Sequence, residues 1–247
     1  MVALFVTSLS VAGLAQDNPV VSKLFSDHMV LQRGMLVPVW GTCKAGTMVT
    51  VKFGAQEKSA EAHKDGKWMV KLDALKASVT PAELTITSAT GNAPVKVADV
   101  LVGEVYLCGG QSNMAMYMKE LSANDEIAKA GFPLLRQSRL GEGWAVCSPA
   151  TNSDFCATSY YFGRRMVQET GVPIGTLNTA LSGTPIEKWI EPEGFKSEPA
   201  LREMEIKYMA GYCCAFSLVL RQRKITRWTR GFSSRRRPSR TGLGGIG

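Results

Sequence analysis

The stretch Val105-Tyr-Leu-Cys-Gly-Gly-Gln-Ser-Asn-Met114 decides the fold, because a short apolar run passes directly into a glycine turn and a serine. The run at 105–108 is typical of a strand buried on both faces of a parallel sheet. The glycines permit a sharp turn that leaves the Ser112 hydroxyl exposed, as a nucleophile requires. Taken alone, the same run is more typical of a structural turn before a serine N-cap.

A second strand and loop follow the same plan. A helix predicted over 157–170 leads to an apolar strand at 173–177 and then to the loop that contains Gly183. Ligands of layered α/β folds bind at the carboxyl ends of parallel strands, where both loops fall. Backbone N–H groups of Ser112 and Gly183 would there stabilise the oxyanion of an acyl transfer. Shorter helices are predicted at roughly 122–130 and from 185.

The chain from 17 to 100 has a different pattern. Short alternating strands are separated by turn signals, of which Asp65-Gly66 is a hairpin signal. This pattern indicates a β-sandwich domain, followed by a partial α/β domain over 101–206. No catalytic constellation is visible in the sandwich, and a structural role for His28 near the domain junction is the more common one.

Residues 1–15 form an apolar segment that ends in small residues, as a signal peptide does. The segment predicts a secreted or periplasmic protein, and its alternative is a buried first strand or helix. It is too short to span a membrane. The six cysteines show no disulfide framework, and the absence of a Cys-x-x-Cys pair disfavours a zinc site.

Composition excludes a disordered chain, a fibre or a small disulfide scaffold, since 45% of the 247 residues are hydrophobic and 20% are charged. The net charge of +8 is concentrated at 207–247, the basic tail, which holds ten of the 29 basic residues and no acid. The remainder has 19 basic and 21 acidic residues, so the body is not built to bind polyanions.

Longer strings resemble the sialate O-acetylesterase family of carbohydrate acetylesterases, within the SGNH-hydrolase superfamily. They occur in family order across residues 25–192, and the blocks around Ser112 and Gly183 are specific together. The matching strings are Phe25-Ser-Asp-His-Met-Val-Leu-Gln-Arg33, Gly66-Lys-Trp68, Gly103-Glu-Val-Tyr-Leu-Cys-Gly-Gly-Gln-Ser-Asn-Met114, Tyr161-Phe-Gly163, Val172-Pro-Ile-Gly175 and Ser182-Gly-Thr-Pro-Ile-Glu-Lys-Trp189.

The resemblance implies a β-sandwich joined to an SGNH-type three-layer α/β domain, which is incomplete here. It implies Ser112 as the nucleophile and Gly183 as the oxyanion glycine. Gln111 and Asn113 come with the nucleophile block and are expected to brace the loop. The implied reaction removes O-acetyl groups from sialic acid or plant polysaccharide sugars through an acetyl-serine, without metal or cofactor.

The sequence departs from the family in its second half. The family's Gln-Gly-Glu-x-Asn block and its Asp-x-x-His block, which supplies the general base, are absent, and no histidine follows His63. We therefore predict a nearly inactive, poorly soluble chain with an exposed sheet edge. The family pattern ends near Glu205, and the basic tail is typical of translation in a wrong reading frame.

Two other functions stay open at this stage. The sandwich region with exposed aromatics would suit a non-catalytic carbohydrate-binding module. The basic tail would suit binding to nucleic acid or anionic lipid, although an exported sugar esterase has little use for it. The preferred prediction has an acetylated sugar as partner, with no nucleic acid, no membrane span and an oligomeric state that the sequence does not fix.

Overall fold

The structure is a computed structural model that describes residues 18–91, 93–190 and 195. The predicted signal segment and the basic tail lie outside the described residues. Strands make up more of the described residues than helices do. The strands are β1 (Val20–Val21), β2 (Val30–Gln32), β3 (Val37–Thr42), β4 (Met48–Phe53), β5 (Gln56–Glu61), β6 (Lys67–Leu72), β7 (Ser78–Ser88), β8 (Val95–Cys108), β9 (Phe132–Arg139), β10 (Trp144–Cys147) and β11 (Ile174–Asn178).

Helices are few, which gives a mixed α/β fold. The α-helices are α1 (Ser112–Ala115), α2 (Asn124–Ala128) and α3 (Ala157–Thr170), and 3-10 turns occur at Met118–Leu121, Asn152–Asp154 and Ile186–Trp189. The predicted helix over 157–170 is confirmed, and it ends at Gly171 in the left-handed conformation. The helix predicted over 122–130 is shorter, because Ser122 already has a φ of 53°.

Two sheets are present in the described residues. A three-stranded sheet has the order β1-β3-β6, and an eight-stranded sheet has the order β10-β9-β11-β8-β7-β4-β5 with β2 beside β8. Strand β11 lies between β8 and β9 and is parallel to both. A buried apolar cluster takes side chains from both sheets, for example Val39 and Leu72 from one and Val51 and Ile86 from the other.

Strand β8 is one continuous strand where the sequence predicted two. Gly103 lies where the sequence pattern breaks, and a Cβ there would come within 1.9 Å of the Pro173 carbonyl oxygen. The predicted boundary between residues 100 and 101 falls inside this strand. Among the described strands, β11 alone pairs with residues 104–108 of β8. The pairing of β7 and β2 with β8 ends at or before Gly103.

A second apolar cluster lies around α3. It contains Leu135 of β9, Ile174 of β11 and Tyr160 of α3. Strand β9 and its antiparallel partner β10 were not predicted. The chain divides into two units between Thr184 and Pro185. None of the helices in the described residues has the length and apolarity that crossing a membrane requires.

Candidate functional site

Three parallel strands end together at one edge of the larger sheet. Asn178 of β11 lies in register with Cys108 of β8 on one side and with Arg139 of β9 on the other. The loops that follow these three residues therefore leave the sheet side by side. This edge is where an α/β fold binds its ligand.

Ser112 begins α1, four residues beyond the end of β8, and its side chain is exposed. Its hydroxyl donates a hydrogen bond to Gln111 Oε1 at 3.3 Å. Gln111 and Asn113 are also exposed, and the Asn113 carbonyl accepts a hydrogen bond from Thr158 Oγ1 at 3.3 Å. The serine is open to a substrate, and its described hydrogen-bond partner is an amide rather than a base.

The loop that contains Gly183 is fastened to the Ser112 loop by main-chain hydrogen bonds. Leu181 N donates to Gly110 O at 3.0 Å, and Thr179 N donates to Cys108 O at 3.0 Å. Gly183 is exposed and has a φ of 72°, which favours glycine. The structure thus brings the two predicted loops together, and the roles of Ser112 and Gly183 in catalysis stay predictions.

Asn178 is a positioning residue that sequence analysis passed over. Its side chain is fully buried, and Nδ2 donates to Met114 O and to Ser159 Oγ at 3.0 Å each. Its Oδ1 accepts from Ala180 N at 3.1 Å. Asn178 therefore joins α1, α3 and the loop after β11. A polar residue at the end of an apolar strand was the available signal.

Of the two histidines of the chain, His28 lies far from Ser112 and His63 is exposed to solvent in a turn. His28 Nδ1 lies 2.6 Å from Asp99 Oδ2, and Asp99 is nine residues before Cys108 on β8. At about 3.3 Å per strand residue, roughly 30 Å separate this pair from the end of β8. His63 is 75% exposed in the turn between β5 and β6, 3.9 Å from Asp65. His28 is therefore not placed to take the Ser112 proton.

Two cysteines lie beside the strand ends and are free and buried. Burial raises the pKa of the Cys108 and Cys156 thiols, so both are neutral near pH 7. The Cys156 thiol donates to Ala115 O at 3.8 Å. The positive charge of Arg139 opposes the rise in the Cys156 pKa, and its guanidinium stacks 4.6 Å from the centre of the Tyr117 ring. The cysteines do not compete with Ser112 as nucleophiles, and the guanidinium adds positive charge at this edge.

Proteins that resemble this chain in sequence are named sialate O-acetylesterases. Sialate O-acetylesterase of Homo sapiens is 29% identical over 215 residues, and that of Rattus norvegicus is 31% identical over 232. These alignments cover 74% and 76% of this chain. The chain belongs to the sialate O-acetylesterase family.

A solved structure supports this assignment to the sialate O-acetylesterase family. The crystal structure of a carbohydrate acetylesterase from Xanthomonas citri is 31% identical with a TM-score of 0.67, and the match covers 74% of this chain. No family model matches the chain. The chain spans 41% of the human and rat sialate O-acetylesterases and 45% of the Xanthomonas chain.

Proposed function

We propose that the chain is a carbohydrate O-acetylesterase that uses Ser112 as a nucleophile on acetyl esters of sugars. The observation that carries the proposal is the exposed Ser112 at the carboxyl end of β8, beside the Gly183 loop. The names of the relatives add the substrate class, an acetylated sugar. The proposal includes an SGNH-type α/β domain joined to a β-sandwich, and an exported location.

In the proposed reaction, Ser112 Oγ attacks the acetyl carbonyl carbon while its proton passes to a base or to water. The N–H groups of Ser112 and Gly183 donate to the oxyanion of the tetrahedral intermediate. The intermediate collapses, the sugar oxygen takes a proton and leaves as an alcohol, and an acetyl-serine remains. Water then hydrolyses this ester, which releases acetate and restores the serine.

The proposed activity is low in the chain as written. General-base assistance typically contributes about 10²–10⁴-fold, and the two histidines of the sequence lie away from Ser112 or in an exposed turn. Without a histidine beside Ser112 in the part of the chain that the structure describes, the attack should be slow even though the serine is in position. A reagent that is itself strongly electrophilic therefore tests the nucleophile better than a natural ester does.

A fluorophosphonate probe, which phosphonylates activated serines, is the test. We expect slow covalent labelling of the wild-type chain, located at Ser112 by peptide mass spectrometry. Labelling should disappear in Ser112→Ala and persist in Ser59→Ala, which removes an exposed serine of β5. Equal labelling of wild type and Ser112→Ala would overturn the proposed nucleophile and favour a non-catalytic carbohydrate-binding protein.

A further inference from the structure

The charges around Ser112 bear on how readily its hydroxyl loses a proton. The hydrogen-bond partner that the structure gives this hydroxyl is the side-chain amide of Gln111, which does not accept a proton as a base would. A nearby positive charge favours the anion that remains when the proton leaves. The charges at the edge of the larger sheet where β8, β9 and β11 end, called here the strand-end edge, therefore affect the reactivity of the serine.

Arg139, the last residue of β9, differs from every other arginine in the described ranges. The other four each form an ion pair with a carboxylate, whereas Arg139 pairs with no carboxylate of a described residue. The pairs are Arg33–Glu104, Arg136–Asp99, Arg164–Glu126 and Arg165–Glu169. Arg139 is also partly buried, and a partly buried charge is screened less by water and salt than an exposed one. Its positive charge therefore extends further than that of a surface arginine.

The charged residues of the neighbouring elements add less to the potential at the strand-end edge. Lys119 and Asp154 are both exposed, and they pair with each other at 2.7 Å between Nζ and Oδ1. Glu120 is exposed and accepts a main-chain hydrogen bond at 2.5 Å. Glu142 is exposed in the turn between β9 and β10. Because solvent screens these exposed groups, the guanidinium of Arg139 is the dominant charge.

The guanidinium is held in place without being neutralised, and its charge reaches the helix that Ser112 begins. It stacks on the Tyr117 ring, and its Nε has no hydrogen-bond acceptor among the described residues. Its positive charge opposes the rise that burial gives to the pKa of the Cys156 thiol. That thiol donates to the carbonyl oxygen of Ala115, the last residue of α1. The charge thus already acts on a group in contact with α1.

Two paths through the structure give the distance from Arg139 to Ser112. Arg139 and Cys108 are in register with Asn178 from opposite sides, so roughly 10 Å separate their Cα atoms at a strand spacing of about 4.8 Å. Tyr117, on which Arg139 stacks, follows Ser112 by five residues, of which the first three steps are helical. Both paths place the guanidinium roughly 10–15 Å from the serine. At such a distance a unit charge shifts an ionisation equilibrium by about two- to tenfold, for effective dielectric constants between about 80 and 20.

We propose that the unpaired guanidinium of Arg139 supplies the positive potential that favours ionisation of Ser112. The inference rests on the proposed function, since it concerns Ser112 as the nucleophile. The guanidinium does not take the proton, which passes to hydroxide and forms water, and the serine oxygen keeps the electron pair that attacks the acetyl carbon. The same charge favours the oxyanion of the tetrahedral intermediate. Arg139 acts on the serine from a distance and touches no reacting atom.

A thiol introduced by Ser112→Cys measures this potential whether or not the serine is a nucleophile. The test is the rate at which uncharged iodoacetamide alkylates the full Ser112→Cys chain at position 112, followed by peptide mass spectrometry, because the thiolate is the species that reacts. Adding Arg139→Gln should slow alkylation about two- to tenfold at neutral pH and move the pH profile of the rate to higher pH. Adding Arg139→Lys keeps the charge and should restore most of the rate. Arg165→Gln is the matched control, because Arg165 is 73% exposed and pairs with Glu169, and it should leave the rate unchanged.

Salt separates the effect of the charge from an effect on the fold. The screening length falls from about 30 Å at 0.01 M to about 3 Å at 1 M ionic strength. We therefore expect the ratio between the rates with and without Arg139 to fall toward one at 1 M. The Ser112→Cys chain alone should also be alkylated more slowly at 1 M, a comparison that does not depend on how the Arg139 variants fold.

Equal alkylation rates with and without Arg139 at low salt would overturn the inference. A ratio that is the same at both salt concentrations would overturn it too, as would a rate that Arg139→Lys does not restore, since either result assigns Arg139 a purely structural role. Fluorophosphonate labelling of the unmodified serine separates the two proposals. Alkylation that depends on Arg139 without labelling at Ser112 contradicts the proposed function alone, and labelling at Ser112 with alkylation indifferent to Arg139 contradicts this inference alone.

Discussion

The two ends of β8 carry a histidine–carboxylate pair and an exposed serine, and the two are far apart. At the amino end, Asp99 binds His28 and is also bound by Arg136. At the carboxyl end, Ser112 is exposed and has Gln111 as its described hydrogen-bond partner. A histidine–carboxylate pair does not make a general base unless it can reach the serine.

The amino end of β8 is built as a structural junction. Arg136 is 5% exposed, and its guanidinium donates to both the carbonyl oxygen and the carboxylate of Asp99. His28 and Asp99 both have positive φ values, 69° and 53°. Non-glycine residues hold this conformation only where the surroundings fix it. The network joins β9, β8 and the segment before β2.

The largest expected effect comes from breaking this junction with Arg136→Ala. The change leaves the Asp99 carboxylate without its main counter-charge, and breaking a buried pair from one side costs about 3–5 kcal/mol. We expect a loss near 3 kcal/mol in the free energy of unfolding, measured by urea denaturation. Arg165→Ala removes an exposed helical pair and should cost only about 0.3–0.5 kcal/mol. Similar losses in both variants would contradict a structural junction.

Asn178→Ala tests the other end and should have the next largest effect. It leaves Met114 O, Ser159 Oγ and Ala180 N without the partner they share. Buried groups without a partner cost about 1–3 kcal/mol, so we expect a loss near 2 kcal/mol in urea denaturation.

Asn178→Ala also shows whether Asn178 only stabilises the fold or also positions the Ser112 loop. If Asn178 positions the Ser112 loop, fluorophosphonate labelling should slow severalfold even where the protein is fully folded. Thr158→Ala removes the hydrogen bond to Asn113 O from an exposed side chain and is the milder control. Unchanged labelling in Asn178→Ala would limit the residue to a structural role.

Sequence patterns predicted the regular elements well, for physical reasons. Helix α3 has an amphipathic face and a glycine at its end, and β11 is a short, fully buried run with Ile174 and Leu177, so local signals suffice. Strand β9 was missed because its buried centre is Arg136, Gln137 and Ser138. Two of these polar side chains are bound by partners distant in sequence, Arg136 by Asp99 and Gln137 by Cys156 N.

The candidate site was predictable only in part for the same reason. The glycine turns at Ser112 and Gly183 are local signals, and the structure brings their loops together as expected. The position of Asn178 depends on strand register, which aligns it with Arg139, 39 positions earlier in the chain. No local pattern in a single sequence encodes such an alignment.

Lowering the pH should reduce the stability that the Asp99 contacts give to the amino end of β8. Burial opposes ionisation of Asp99, but hydrogen bonds from His28 and Arg136 outweigh it and hold the pKa of this carboxyl below its ordinary value. A lowered pKa stabilises the folded state above the ordinary pKa of about 4, and the benefit is lost as pH falls through the folded value. Asp99→Asn should flatten the fall in stability, measured by urea denaturation, as the pH drops below about 5. A variant that keeps the full wild-type slope would contradict this assignment.

The variant with the smallest expected effect, His28→Asn, tests most directly whether the His28–Asp99 pair and Ser112 are independent of each other. His28→Asn keeps a residue that tolerates positive φ and removes the imidazole from Asp99. Because His28 is 47% exposed, we expect a stability loss below about 1 kcal/mol. Fluorophosphonate labelling of Ser112 should proceed at the wild-type rate, since roughly 30 Å of strand lies between them. A tenfold slower labelling in a folded His28→Asn chain would contradict the separation of His28 from Ser112 and would assign His28 the role of general base.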